Sequence, residues 1–353
     1  MQKLDCSTCK YKWWDCKNCY ILSDDNNEFE NVPNLIFTIV LTRQCNFRCN
    51  YCAIDFSDDI ISYSVIDKFI NLLETKRNNI WKIKFEFFWW EPLLEFEKVK
   101  YIVDKTNKLD IGYSIVTNGY LLNQEKLDYL NKYNFETVFS VALHTVSILN
   151  TNKDLFKVNN LDNFIINFII EPWKELLMYE VFLNLIRLGF KKITILPVYY
   201  TITWDKSSLQ KLDYLLKKLT NIYYKLYNSK FRFELFYIRT NKEFEYNIKK
   251  NDTELMLDYD GKIYWDYDTE LYLLKDFVKK EVFSIENIFL WNILDKDFSL
   301  IDIILKRKKI NTVYFMNNIT EALSLDKNLK LLWKVIENNN LYLNKWIKNK
   351  LNQ

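Results

Sequence analysis

Residues 34–52 read NLIFTIVLTRQCNFRCNYC and join an apolar run to a cysteine-rich loop. The run from 34 to 43 is β-branched and of strand length, so it predicts a β-strand. The loop carries Cys45, Cys49 and Cys52, and three thiolates at this spacing can converge on one face of an iron–sulfur cube. A [4Fe–4S] cluster takes four ligands, so three cysteines leave one iron open to a substrate or cofactor. The alternative is a zinc site, which would need a fourth protein ligand. No Cys or His lies close downstream of the loop, and the only histidine is His144, so that ligand would have to come from a distant part of the chain.

Alternating apolar patterns follow this first strand. They predict helices at 64–77, 95–107, 123–132, 174–188 and 206–227, and strands at 82–88, 111–117, 136–143, 163–170 and 192–198. Strands separated by helical segments of this length indicate βαβ units and a parallel sheet. We therefore predict an α/β fold, either an incomplete β/α barrel or a wound sheet, with functional groups at the carboxyl ends of the strands. After about residue 237 the pattern changes, and Asp260-Gly261 predicts a hairpin turn.

Two further motifs accompany the cysteine loop. The sequence FWWEPLL at 88–94 follows the second predicted strand, and Thr117-Asn118-Gly119 closes the third. With Tyr51, the aromatic residue before the last cysteine, these motifs resemble the radical S-adenosylmethionine (radical SAM) superfamily. That family has Gly-Gly-Glu-Pro-Leu-Leu and Thr-Asn-Gly at the corresponding points. The resemblance covers roughly residues 34–235 and implies an α/β partial (β/α)6 barrel of radical SAM type.

The resemblance also implies a chemistry. In that family three cysteines hold a [4Fe–4S] cluster whose open iron binds the amino and carboxylate groups of SAM. One electron then cleaves SAM to a 5′-deoxyadenosyl radical that abstracts hydrogen from a substrate. The cluster ligands would be Cys45, Cys49 and Cys52, and a flavodoxin or ferredoxin would supply the electron. The matched SAM-binding positions are Tyr51 at the adenine, Trp89, Trp90, Glu91 and Pro92 at the methionine part, and Thr117, Asn118 and Ser140.

The tryptophan content is abnormal. The chain has 4 Gly and 11 Trp, whereas average usage predicts about 25 Gly in this length. Trp89 and Trp90 stand where the resemblance expects glycine, and Trp291 and the pair at 13–14 also occupy glycine-like contexts. We hypothesise that several Trp codons are UGA, read as glycine in the source. Genuine tryptophans in an altered pocket are the alternative.

Four more cysteines lie near the start of the chain. Cys6, Cys9, Cys16 and Cys19 form two C-x2-C pairs, which can provide tetrahedral sulfur for zinc or an auxiliary iron–sulfur cluster, or remain unmetallated. The tail hairpin resembles the SPASM/twitch extension of peptide-modifying radical SAM enzymes, but the tail has no cysteine. We predict a Cys-rich N-terminal segment at 1–33, the barrel at 34–237 and an α+β extension at 238–353.

Composition narrows the function classes. The net charge of +3 argues against nucleic acid as a partner, and no apolar run is long enough for a membrane helix. The polar N-terminus does not resemble a secretory signal, so we expect a reducing, cytoplasmic compartment. The preferred function is a radical SAM enzyme that modifies a peptide or protein. Cofactor biosynthesis and tRNA modification are the less favoured classes of reaction. The alternative is a catalytically inactive scaffold that binds a peptide, if Trp89 and Trp90 are genuine.

Overall fold

A computed structural model describes most of the barrel region and parts of the tail. The described residues are 34–52, 54, 56–76, 82–158, 161–198, 203–227, 234–237, 253–265, 289–292, 294, 331–332, 334–336 and 338–339. The four N-terminal cysteines and the Trp pair at 13–14 lie outside them.

The strands and helices alternate along the chain. The strands are β1 (Asn34–Ile39), β2 (Lys82–Phe87), β3 (Ile111–Thr117), β4 (Glu136–Val141), β5 (Phe164–Ile170), β6 (Lys192–Pro197), β7 (Glu234–Tyr237), β8 (Thr253–Leu257), β9 (Lys262–Trp265) and β10 (Phe289–Asn292). The helices are α1 (Tyr63–Lys76), α2 (Phe96–Thr106), α3 (Gln124–Lys132), α4 (Val146–Thr151), α5 (Lys153–Val158), α6 (Glu175–Arg187) and α7 (Lys206–Tyr227). Short 3-10 turns occupy Pro92–Glu95 and Leu143–Thr145.

The strands form one mostly parallel sheet in the order β10-β9-β8-β1-β2-β3-β4-β5-β6-β7. From β1 to β7 neighbouring strands are parallel and follow chain order, which is the strand order of a β/α barrel. In the described part of the chain the barrel does not close, because β8 pairs with the free edge of β1. The prediction of an α/β fold with a partial barrel is confirmed.

Apolar burial explains why these segments become strands. Along β4 and β5 buried residues alternate with half-buried ones, so one side chain in two points into the hydrophobic core. Phenylalanines fill much of that core, and the rings of Phe37 and Phe69 meet edge to face with centroids 5.0 Å apart. A rigid core below the sheet leaves the carboxyl ends of the strands free to carry the polar groups described below.

Some boundaries differ from the sequence predictions. The first strand ends at Ile39 rather than residue 43, and the fourth ends at Val141 before a 3-10 turn. Helices α4 and α5 and strands β7 and β10 are not predicted from the sequence. Helices of six residues are too short to display a helical apolar period, which explains why α4 and α5 were missed.

The tail hairpin predicted at Asp260-Gly261 is present between β8 and β9. The N–H of Asp258 donates to the carbonyl of Lys262 at 2.9 Å, and Gly261 adopts φ 84°, a conformation that favours glycine. Asp258 is buried and forms an ion pair with Arg43 at the start of the cysteine loop. The hairpin is therefore attached both to β1 and to the loop that follows it. None of the described helices is both long enough and apolar enough to span a membrane.

Candidate functional site

The cysteine loop leaves the carboxyl end of β1 and is held by backbone hydrogen bonds to its neighbours. The N–H of Arg43 donates to the carbonyl of Asp59 at 2.8 Å, and the N–H of Glu91 donates to the carbonyl of Gln44 at 3.1 Å. Within the loop the N–H of Cys52 donates to the carbonyl of Cys49 at 3.0 Å. The three cysteines of the loop are free thiols, and each residue is partly exposed.

Burial holds these thiols in the protonated form. It raises the pKa of Cys49 to about 11, although a hydrogen bond from Tyr51 opposes the shift, and the charges of Cys52 and Cys45 add to it. Burial likewise raises the pKa of Cys45 and of Cys52. A bound cation would reverse this preference, because metal coordination stabilises the thiolate.

His144 lies against the cysteine loop, which the sequence analysis did not assign to the site. It follows β4, and its Nε2 is 3.1 Å from the Sγ of Cys49. Its ring lies between the rings of Phe47 and Tyr51, with both centroid distances 5.8 Å. Partial burial lowers the pKa of His144, so the imidazole is neutral at neutral pH. The end of β4 is thereby brought to the loop that leaves β1.

Glu91 joins the ends of β2 and β3. Its buried carboxylate accepts from the N–H of Leu93 at 3.0 Å, the hydroxyl of Thr117 at 2.8 Å and the N–H of Asn118 at 2.8 Å. It also caps the 3-10 turn, in which Pro92 holds an early position where a missing N–H costs little. Burial raises the pKa of Glu91 to about 7. Both carboxylate oxygens are occupied by the protein itself, so the residue shapes the site rather than facing it.

Asn118 connects β3 to the cysteine loop. Its Nδ2 donates to the Oδ1 of Asn46 at 2.8 Å and lies 3.9 Å from the Sγ of Cys45. The glycine that follows is required here. Gly119 has φ 77°, and a Cβ on it would lie 2.3 Å from the ring of Phe139. The Thr-Asn-Gly motif therefore fixes a tight turn that points the asparagine at the loop.

Trp89 and Trp90 occupy the turn between β2 and Glu91. Both have left-handed backbones, with φ 70° and 51°. The ring of Trp89 stacks on Phe88 with centroids 4.4 Å apart, and its Nε1 is buried without a hydrogen-bond partner among the described residues. The guanidinium of Arg43 lies 5.5 Å from the ring centroid of Trp90. Two indoles thus stand beside the strand ends that carry the cysteine loop.

Ser140 and Glu171 complete the set of candidate residues. Ser140 is half-buried on β4, in register with Asn167 of β5. Glu171, which the sequence analysis missed, directly follows β5 and is 5% exposed. Its Oε2 is 2.9 Å from the Nζ of Lys174, and its Oε1 has no hydrogen-bond partner in the described part of the chain.

Glu171 is electrostatically coupled to the cysteine loop. Its negative charge adds to the raised pKa of Cys49 and opposes the lowered pKa of His144. One sequence signal could have identified Glu171. A glutamate and a proline directly follow an apolar strand there, and the same pair follows β2 as Glu91 and Pro92.

Comparisons with known proteins agree with this geometry. Residues 39–206 match the model of the radical SAM superfamily. A 125-residue segment is 32% identical to the radical SAM cyclopropyl synthase TigE of Paramaledivibacter caminithermalis, covering 29% of this chain and 26% of that protein. The match therefore spans about a quarter of the relative's length.

Solved structures of a second protein share the fold. A histidine-tagged form of anSMEcpe with bound AdoMet superposes with a TM-score of 0.59 at 18% identity, covering 80% of this chain and 81% of that one. Native anSMEcpe with bound AdoMet and the Cp18Cys peptide gives a TM-score of 0.57 at 17% identity, covering 85% and 88%. Together with the cysteine loop that follows β1, the family match shows that residues 39–206 form a radical SAM domain, and the solved structures share its fold.

Proposed function

We propose that this protein is a radical SAM enzyme that holds a [4Fe–4S] cluster through Cys45, Cys49 and Cys52 and acts on a peptide or protein. The observation that carries the proposal is the three partly exposed thiols on one loop at the carboxyl ends of the parallel strands. When bound, the cluster supplies the electron for reductive cleavage of SAM and hydrogen abstraction from the substrate. A flavodoxin or ferredoxin is the proposed electron donor.

The donor set fits a cluster better than a single ion. In the described part of the chain no group of three or more His, Cys, Asp or Glu side chains is arranged to hold one metal ion. A cluster does not need that convergence, because each thiolate binds a different iron. The Sγ of Cys45 already accepts a hydrogen bond from the N–H of Phe47 at 3.4 Å, an arrangement that suits a negatively charged sulfur.

The strand ends provide groups for SAM. Tyr51 is part of the cysteine loop, and Asn118 lies against that loop. Glu91 and Thr117 hold the turn beside it. The unused Oε1 of Glu171 is the buried acceptor that best suits a hydroxyl or ammonium donor on the bound molecule. Trp89, Trp90, Pro92 and Ser140 remain proposed members of this pocket.

A peptide or protein substrate is supported by relatives. The anSMEcpe structure that shares this fold was solved with the Cp18Cys peptide, and TigE is described as a cyclopropyl synthase. The β8–β9 hairpin attached to β1 is the part of the proposed extension at 238–353 that reaches the cysteine loop, through Asp258 and Arg43. For the proposed segment at 1–33 we retain zinc or an auxiliary cluster at Cys6, Cys9, Cys16 and Cys19.

Anaerobic reconstitution tests the proposal. The wild-type protein is expected to bind a [4Fe–4S] cluster and to convert SAM to 5′-deoxyadenosine under dithionite. Cys52→Ala is expected to lose the SAM-binding cluster and the cleavage. Cys6→Ala is the matched control, since it removes one thiol elsewhere and should retain cleavage while losing zinc or a second cluster.

Two outcomes contradict the proposal. If Cys52→Ala keeps the cluster signal and SAM cleavage, Cys52 is not a ligand of the cluster. A folded, cluster-loaded wild-type protein that never forms 5′-deoxyadenosine would favour the inactive peptide-binding scaffold. The observation favouring that alternative is the pair of indoles of Trp89 and Trp90 beside the site.

A further inference from the structure

We infer that the natural chain carries glycine, encoded by UGA, at positions 89, 90 and 173, and genuine tryptophan at 204. The inference does not depend on the proposed enzymatic activity, because it rests on backbone conformation and side-chain packing. It separates three described tryptophans with positive φ, at 89, 90 and 173, from Trp204, which packs as tryptophan normally does.

Backbone conformation is the first argument. Five described residues other than glycine have positive φ: Trp89 at 70°, Trp90 at 51°, Trp173 at 65°, Asp110 at 49° and Asn134 at 52°. Aspartate and asparagine tolerate this region, but a bulky aromatic residue there is a genuine outlier. Three such outliers are all of one residue type, and two of them are consecutive.

The glycines of this protein show what the region is used for. Gly119, Gly189 and Gly261 have φ of 77°, 94° and 84°. The left-handed positions of the described chain are therefore filled by glycine, by Asp or Asn, or by tryptophan. Glycine is the residue that adopts this conformation without a steric penalty.

Packing of the indoles is the second argument. The Nε1 of Trp89 is buried and has no partner in the described chain. The side chain of Trp173 is 58% exposed, although its Nε1 donates to the Oδ2 of Asp205 at 3.1 Å. A large aromatic side chain normally buries its ring and pairs its N–H when buried. Trp204 does both, since it is 2% exposed and its Nε1 donates to the carbonyl of Val198 at 2.6 Å. Its φ is also negative, unlike those of the other three.

Composition is the third argument. Only 4 Gly stand against 11 Trp in 353 residues. The codon UGA differs from the glycine codon GGA by one base and from the tryptophan codon UGG by one base. A source that reads UGA as glycine therefore yields this pattern when UGA is translated as tryptophan. Trp291 in β10 does not have positive φ, so the backbone does not extend the inference to it.

Glycine at 89 and 90 would uncover the backbone of the turn between β2 and Glu91. Glycine at 173 would do the same directly after Glu171 and Pro172. Both sites follow the carboxyl ends of parallel strands, on the side of the sheet that bears the cysteine loop. The indoles at 89, 90 and 173 therefore lie at two separate strand ends of the barrel.

Peptide mass spectrometry of the protein from its native source tests the inference. Trypsin releases residues 85–98, which contain both consecutive tryptophans, residues 158–174, which contain Trp173, and residues 193–206, which contain Trp204. The first peptide is expected to be lighter than written by two Trp-to-Gly differences and the second by one, while the third keeps the written mass. Tryptophan at 89, 90 or 173 in the native peptides, or UGG codons there, would overturn the inference.

Recombinant variants give an independent test. The chain as written is compared with Trp173→Gly, with the double variant Trp89→Gly/Trp90→Gly and with Trp204→Gly. The first two are expected to keep or raise the Tm, whereas Trp204→Gly should lower it by at least about 6 °C. Losses at 173 and at 89–90 as large as the loss at 204 would show that glycine is not accommodated there. SAM cleavage is not the readout, so inactivity of the enzyme would leave this result unaffected.

Discussion

Replacing Glu91 by Gln is expected to remove a step in the pH dependence of stability. Burial raises the pKa of this carboxyl from its ordinary 4.5 to about 7 in the folded protein. Between these two pH values the folded chain holds a proton that the unfolded chain has released. The free energy of unfolding of the wild type therefore falls as pH rises through this window.

The size of the step follows from the two pKa values. The difference between 4.5 and about 7 corresponds to about 3 kcal/mol of stability, present near pH 5 and lost near pH 8. Gln is nearly isosteric and neutral at every pH, so the variant has no stability step in this window. Its NH2 group cannot accept a hydrogen bond, so one donor that faces the Glu91 carboxylate loses its acceptor at every pH. The variant is therefore expected to start below the wild type near pH 5 and to gain about 3 kcal/mol relative to it by pH 8.

Urea unfolding of the reduced, cluster-free protein at several pH values measures this difference. Glu74→Gln is the matched control, because it removes one exposed carboxylate on α1 and corrects for the change in net charge. Parallel stability profiles for the wild type and Glu91→Gln between about pH 5 and pH 8 would refute the reasoning. They would show that the buried carboxylate is not the source of the step.

Three further changes have defined outcomes. In denaturant unfolding, Gly119→Ala should destabilise the fold by about 2 kcal/mol or more, because the new Cβ would lie 2.3 Å from the ring of Phe139 and φ is positive. Gly112→Ala is the control and should be near neutral, because a Cβ there meets no atom closer than 3.7 Å. His144→Phe should make the reduction potential of the reconstituted cluster more negative in a spectroscopic titration, since a thiolate at Cys49 can only accept from Nε2; an unchanged potential contradicts this. Glu171→Gln should weaken SAM binding about tenfold by calorimetry, and an unchanged Kd would exclude the contact.

Local patterns carried most of the fold prediction. The β-branched run before Cys45 and the alternation that follows it predicted the strands and most of the helices, because each segment buries its own apolar face. The tight turn at Gly119 and the hairpin at Gly261 could also be predicted from the sequence, because glycine is the residue that adopts positive φ without a steric penalty.

Contacts between distant segments could not be read in this way. His144 meets Cys49 across 95 residues, and β8 pairs with β1 across more than 200, so neither leaves a mark in a local window. Glu171 was missed for the same reason, because its importance lies in the oxygen left unpaired after folding. The motif positions at 89 and 90 were found by resemblance, but their strain became visible only in the backbone angles.

The position of β1 has a consequence for how the protein can be divided. Since β8 and β2 flank it on both sides, the strand that bears the cysteines is an interior strand of the sheet. Cutting the chain after residue 237 would strip one row of main-chain hydrogen bonds from β1 and turn it into a bare edge, open to pairing with other molecules. Strand β8 therefore covers the edge of β1, and a protein truncated after residue 237 would not represent the fold of the full chain.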